Sequence, residues 1–417
     1  MIVRQRNQPG RTAVSRLAIS ILATAFLMAC GGGQPPTQSA VSATTPGPTA
    51  ATSGIGPSPS AVARSPEATR YSGPLILFTR TTSGDDLQTF TIGIDGSQRT
   101  ELSDARDCCG FWSPDGTTIV VPDKLAASRL LPATVKPDGT GYAVHTIGPP
   151  TLNLPPAGWS PDGTKLMFEA WDDTNPDRSG VYVSEGFPLT EAAPVQITQP
   201  PVHDIPLEWS PDGTRILLIR VTRCPEGDCD GGDLYVVDSD GSDLTRLNPE
   251  GTFVSCCNPA SWSPDGTQVT FGAPSLDSAG AADFTKSAVY VAEADGSQVK
   301  AITEPGAFTE GAEWSPSGDW IVFNKKSGPV GVKGSDLYLI HSDGSGLSAI
   351  TTAGAAGKSD QIGAVWSPDG TRLLFTVVPG GPVKRGDLWI VDLDGTDLTR
   401  LTDTPAQYWG YSWQPLK

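Results

Sequence analysis

The side chains with the most chemistry in this chain are seven cysteines and three histidines. Cys224 and Cys229 bracket Pro-Glu-Gly-Asp, a small loop that a disulfide can close. Cys108-Cys109 and Cys256-Cys257 are adjacent pairs, and two vicinal disulfides would account for these four thiols. Such rings are strained, which makes them candidate ligand platforms. No Cys-x-x-Cys spacing supports a tetrahedral metal site, so neither a metal nor a cofactor is expected. His145, His203 and His341 are scattered. Only His203 stands beside a carboxylate, Asp204, and no nucleophile motif accompanies it. Asp238-Ser239-Asp240-Gly241-Ser242-Asp243 and Asp392-Leu393-Asp394-Gly395-Thr396-Asp397 hint at calcium loops but lack the downstream bidentate Glu.

The elements that must position these residues are repeats. Trp112-Ser113-Pro114-Asp115-Gly116 recurs from Trp159, Trp209, Trp262 and Trp366. Trp314-Ser315-Pro316-Ser317-Gly318 is a variant, and Trp413-Gln414-Pro415 is a truncated copy. The Trp spacings are 47, 50, 53, 52, 52 and 47 residues. A period near 50 with short apolar runs indicates a propeller or a similar array. Each unit reads as four strands: a Trp strand, a run such as Arg372-Leu373-Leu374-Phe375, an Asp-Leu-Tyr-Val-like strand, and a short fourth strand. Asp-Gly turns at Asp95, Asp138, Asp240, Asp295, Asp343 and Asp394 close the second hairpin of most units. The motif itself is structural chemistry. Pro sets φ, Asp suits the next turn position, Gly accepts a left-handed one, and Trp packs between units.

The expected fold is all-β, a seven-bladed β-propeller of four-stranded antiparallel blades over residues 73–417. Six blades is the alternative. Leu75 to Phe78 has no Trp strand before it and Tyr411 to Trp413 has nothing after it, so these two ends are expected to close the ring by pairing. These repeats resemble the TolB-type propeller repeat, which is related to WD-type repeats. The resemblance covers about 345 residues. It implies protein–protein interaction at a cell envelope. Similar repeats occur in the non-catalytic propeller of prolyl-oligopeptidase-like peptidases. Their hydrolase domain carries Gly-x-Ser-x-Gly, which is absent here.

Antiparallel strand order places the motif turns and Asp-Gly turns on one face. Loops entering the Trp strands, and those between strands two and three, lie on the other. That second face has the long, individual loops and is the expected binding face. Its candidate residues are Asp107, Asp204, His203, Asn258, Glu310, Gln361, Tyr408 and Trp409, together with the six cysteines above. The seven motif tryptophans are assigned to the scaffold.

Residues 1–72 read differently. Arg4, Arg6, Arg11 and Arg16 precede an apolar run from Leu17 to Met28, the pattern of a secretory signal. Leu27-Met28-Ala29-Cys30 resembles the lipobox of bacterial lipoproteins. It implies cleavage after residue 29 and lipidation of Cys30. Residues 30–72 are rich in Pro, Ser, Thr and Gly and read as a disordered tether with a reach of about 35 Å. The formal charge of the chain is −17. Six Arg and one Glu in residues 1–72 leave −22 on the remainder. Such a domain repels phosphates, so no nucleic-acid partner is expected. The expected protein is exported and lipid-anchored to a bacterial membrane. It acts as a monomeric envelope scaffold that docks a protein, peptide or glycan. A hydrolase or lyase at the channel mouth, acting on glycans or peptides, is the alternative.

Overall fold

Each complete Trp-Ser-Pro-Asp-Gly copy folds into the same turn. In the first, Gly116 N–H donates to Ser113 O (2.8 Å) at φ 65, a left-handed position that favours glycine. Ser113 Oγ donates to Asp115 Oδ1 (2.6 Å), which also accepts from Thr117 N–H (3.0 Å). Thr118 N–H then donates to Ser113 Oγ (3.0 Å). The same triad recurs at Asp162, Asp212, Asp265 and Asp369. Hydroxyl and amide donors hold the Asp162 and Asp212 carboxyls down at about 2.

The computed structural model describes residues 73–416, apart from 83–86, 104–108, 126–128, 191–192, 201–202, 224–230, 256–259, 279, 307–308, 327–333, 355–358 and 381–384. Within them every named strand leads into an antiparallel ladder, with one exception described below. In each sheet a Trp strand forms one edge. The run after Pro-Asp-Gly pairs with it, the Asp-Leu-Tyr-Val-like strand follows, and a short exposed strand forms the other edge. The first sheet is composite: Gln407–Trp413 pairs with Leu75–Thr81, then come Leu87–Gly93 and Thr100–Ser103.

Strands in the middle of each sheet are buried on both sides, because sheets stack face to face. Phe78, Phe168, Phe271, Phe323 and Phe375 stand at equivalent places in the second strands and are all fully buried. The seven motif tryptophans are buried as well, at 3 to 8 % exposure. Turns lock neighbouring units together. A Cβ on Gly163, Gly213, Gly266, Gly318 or Gly370 would meet the motif proline of the preceding unit, and one on Gly116 would meet Gln414 and Pro415. The motif copies therefore touch in chain order, and the first touches the last.

Blade number departs from the sequence expectation. Five separate four-stranded antiparallel blades are present, not seven and not six. These are the sheets of Trp413, Trp112, Trp159, Trp209 and Trp262. The Trp209 blade carries an extra short strand, Val254–Ser255. The strands of Trp314 and Trp366 are not separate blades. They join in one eight-stranded sheet through a parallel bridge between Ser335 and Asp360. Two contacts account for the fusion. Ser335 Oγ donates to Gln361 O (2.9 Å), and a Cβ on Gly354 would sit only 2.3 Å from Ser335 O. The chain entering the Trp366 strand thus runs against the third strand of the unit before it, and only glycine permits that approach.

Candidate functional site

The Trp strands of successive units are stitched to one another. Trp159 Nε1 donates to Phe111 O (3.3 Å), Trp366 Nε1 to Glu313 O (3.2 Å) and Trp413 Nε1 to Val365 O (3.3 Å). Further bonds use the side chain immediately before the tryptophan. Trp262 N–H donates to Glu208 Oε2 (3.1 Å), Trp314 N–H to Ser261 Oγ (3.4 Å) and Trp366 N–H to Glu313 Oε1 (3.2 Å). Phe111, Glu208, Glu313, Val365 and Ser412 nevertheless keep solvent-accessible surface. Five of the seven successive pairs of Trp strands are bonded in this way, and we read the accessible side chains beside the tryptophans as lining an axial passage.

Two carboxyls in this passage are unusual. Desolvation by the surrounding strands pushes Glu208 up to about 7, against the pull of the Trp262 N–H. Glu313 is pushed up to about 8, by desolvation first and by the charge of Glu208 in addition; the Trp366 N–H opposes this. Solvent reaches Glu208 along the passage, so the raised value reflects crowding by the walls and not full enclosure. Beside them, Tyr411 donates its hydroxyl to Ile362 O (3.0 Å). Burial raises its pKa, and the charge of Glu313 adds to the rise. Titratable groups tuned by desolvation and by one another in a concave place are the physical signature of a functional site. These carboxyls sit directly before the motif tryptophan, in Glu-Trp-Ser-Pro, and sequence reasoning passed over them. The available signal was an acidic residue at a position filled elsewhere by Phe, Gly, Ser or Val.

Of the residues expected to ring a mouth, the described Asp204, Gln361 and Tyr408 are turned into their own sheets. Asp204 is fully buried and accepts two bonds from Arg220, at 2.8 and 2.9 Å. Gln361 is 2 % exposed. With its amide oriented to satisfy both ends, it donates to Thr351 Oγ1, Asp336 Oδ1 and Ser335 O and accepts from Ser359 Oγ. Tyr408 is buried against Phe78 and donates to Thr404 O (2.8 Å). Each serves its own sheet. Trp409 is partly exposed and pairs with Thr79. The backbone of Glu310 pairs with Asn324. Asp107 and Asn258 lie outside the described residues, as do Cys30, Cys108, Cys224, Cys229, Cys256 and Cys257. Cys109 lies within them, at φ 81, packed so closely to Gly410 that a Cβ there would be 2.7 Å from its Sγ.

His203 is tied to a different sheet. Its Nε2 lies 2.7 Å from Glu169 Oε1 on the neighbouring blade. Desolvation pulls the imidazole down, but the Glu169 bond and the charges of Glu169 and Asp204 outweigh it and raise the pKa. The group is a latch between two sheets. Among the described residues no cluster of three or more His, Cys, Asp or Glu is placed to hold a metal.

No family model and no curated protein matches the chain. Similar solved structures exist. TolB from Acinetobacter baumannii is 17% identical over 82% of this chain and 67% of its own, with a TM-score of 0.48. Oligogalacturonate lyase from Vibrio parahaemolyticus is 14% identical over 72% of this chain and 82% of its own, at 0.51. The propeller domain of the Trilobed protease from Pyrococcus furiosus is 13% identical over 80% of this chain and 95% of its own, at 0.52. At these identities the likeness is one of fold, a β-propeller.

Proposed function

We propose that this protein is an exported binding scaffold, lipid-anchored at Cys30 and tethered by residues 30–72. In this reading it captures a cationic segment of an envelope protein or peptide in its axial passage. One observation carries the proposal: the solvent-accessible carboxyls of Glu208 and Glu313 each bond the Trp N–H of the next Trp strand and stand close enough for the charge of Glu208 to act on Glu313. An ammonium or guanidinium group entering there meets two acceptors that gain charge as it binds. A net charge of −22 on residues 73–417 steers such a partner toward the domain. Both carboxyls already accept a neighbouring Trp N–H, which favours a fixed binding role over a mobile acid–base one. The cysteines complete the picture of an exported domain. Cys109 enters the proposal as half of a disulfide, and Cys224 with Cys229 as another.

The test uses the mature lipidated protein in detergent and lysine- or arginine-rich peptides as probes. Glu208→Gln with Glu313→Gln is expected to weaken binding by at least about tenfold, or 1.4 kcal/mol. Unchanged affinity in that variant sinks the passage as the site. Turnover of a glycan or peptide substrate that the same variant abolishes would establish the catalytic alternative instead. Mass spectrometry of the mature chain checks the anchor: a diacylglyceryl group on Cys30 is expected, and an unmodified or uncleaved N-terminus overturns it.

A further inference from the structure

An open groove of about 720 Å³ lies on the face that carries the motif turns. It runs from the motif turn at Gly370 to the Asp-Gly turn at Asp394 and is walled on one side by Ile94 of the first sheet. The partly exposed Ile94 and Leu393 make an apolar floor, packed against cores that include the buried Ile390. Three carboxylates, Asp392, Asp394 and Asp397, stand over that floor. None is ion-paired among the described residues. Arg372 faces Asp392 across the strand pair, but its guanidinium lies over the Trp413 ring, 5.4 Å from the centroid. Asp394 Oδ1 accepts from Thr396 N–H (2.9 Å) and Thr396 Oγ1 (2.5 Å), which fixes the carboxylate and leaves Oδ2 outward.

The molecule contains its own control. Asp238, Asp240 and Asp243 repeat the same acidic triplet in the Trp209 blade. Arg215 there stacks on Trp262 as Arg372 does on Trp413. The neighbouring hairpins approach the fourth strands at nearby points: a Cβ on Gly296 would lie 3.1 Å from Arg246 O, and one on Gly96 would lie 3.2 Å from Leu401 O, one position further along the repeat. The floor differs in residue type. Ser239 and Ala294 stand where the groove has Leu393 and Ile94. Acidity alone therefore does not distinguish the groove; acidity above an apolar floor does.

We infer that this groove docks a basic peptide segment in which an apolar side chain is flanked by lysine or arginine. The apolar side chain covers Ile94 and Leu393, and the flanking cations meet Asp392, Asp394 and Asp397. A volume of about 720 Å³ holds a few side chains and exceeds what a single ion needs. The charge match is between unpaired carboxylates and a cationic ligand, so the interaction weakens with salt.

Calorimetric titration of the full chain with Lys-Leu-Lys-Leu-Lys, Lys-Ser-Lys-Ser-Lys and spermidine tests this. The leucine peptide should bind at least about tenfold tighter than the other two probes. Asp392→Asn with Asp397→Asn should weaken it by a similar factor and flatten the salt dependence. Leu393→Ser, which copies the sister turn, should remove the preference for leucine. Measured in the Glu208→Gln with Glu313→Gln background, which removes cation binding in the passage, the order of the three probes should persist, and Asp240→Asn with Asp243→Asn should leave it unchanged. Equal affinity for all three probes, or loss of binding in the sister-turn variant, overturns the inference. So does full binding by the Asp392/Asp397 variant, whose substitutions, at a half-buried strand end and an exposed turn, lie outside the core.

Discussion

At the scale of single residues, the acids of the Trp strands fall into two kinds. Glu208 and Glu313 are held near 7 and 8, above the ordinary carboxyl value of 4.5. The folded chain therefore binds protons that the unfolded chain has already released. Their contribution to stability is complete at about pH 4.5 and falls as pH rises through about 7 to 8. Glutamine at both positions keeps an acceptor for the Trp N–H groups and loses the titration. Calorimetry of Glu208→Gln with Glu313→Gln should show a melting temperature above the parent's at about pH 8.5 and equal to it near pH 5. A gap that does not change with pH would contradict the assignment. Asp204 is the other kind. Asp204 is fully buried and the Arg220 side chain it bonds twice is mostly so, and Asp204→Ala strands the guanidinium. A loss of about 3 kcal/mol is expected in urea denaturation at neutral pH. A loss under about 1 kcal/mol would mean that water already shares the site. Asp204 was readable as an acid entering a Trp strand, but its burial was not.

At the scale of elements, the reason for that misreading is a bulge. Register shifts fall between Pro206 and Glu208, Glu310 and Glu313, and Ile362 and Val365. Simple alternation would put Asp204 and Glu208, four residues apart, on one face. The extra residue in the bulge puts them on opposite faces. A sequence pattern of period two cannot show where such a residue is inserted. The hairpin turns were far easier to read, because Pro-Asp-Gly and Asp-Gly carry their conformation in local chemistry. Even the defect in one copy is local. Ser317 replaces the motif aspartate, and its Oγ lies 3.2 Å from Ser315 Oγ where the other copies bond at 2.6 Å. Ser317→Asp should restore the triad and raise the melting temperature by about 1–2 °C. A decrease would show that this turn is shaped by its neighbours and not by the motif.

At the scale of the whole molecule, chain ends and blade joints decide integrity. The strand Gln407–Trp413 pairs with Leu75–Thr81 across the length of the chain, and this pairing was legible from two orphan half-units. The fused sheet was not legible, since it depends on a single bridge between Ser335 and Asp360 and on close approach at Gly354. Deleting residues 407–417 bares the edge of Leu75–Thr81 and opens the composite blade. The truncated chain should elute as aggregate and bind a hydrophobic dye; a monomeric, dye-negative product would show that the end strand is dispensable. Net charge was legible too, but not that two acids would be drawn into the axis beside Tyr411. The central claim is that those two acids form a cation-binding site. Carboxyl-selective ¹³C NMR of glutamate-labelled protein, titrated from about pH 4 to 9, tests it most directly. Two resonances titrating near 7 and 8, both displaced to lower pH by a saturating lysine-rich peptide, are predicted; glutamates that all titrate near 4.5 and ignore the peptide would contradict it.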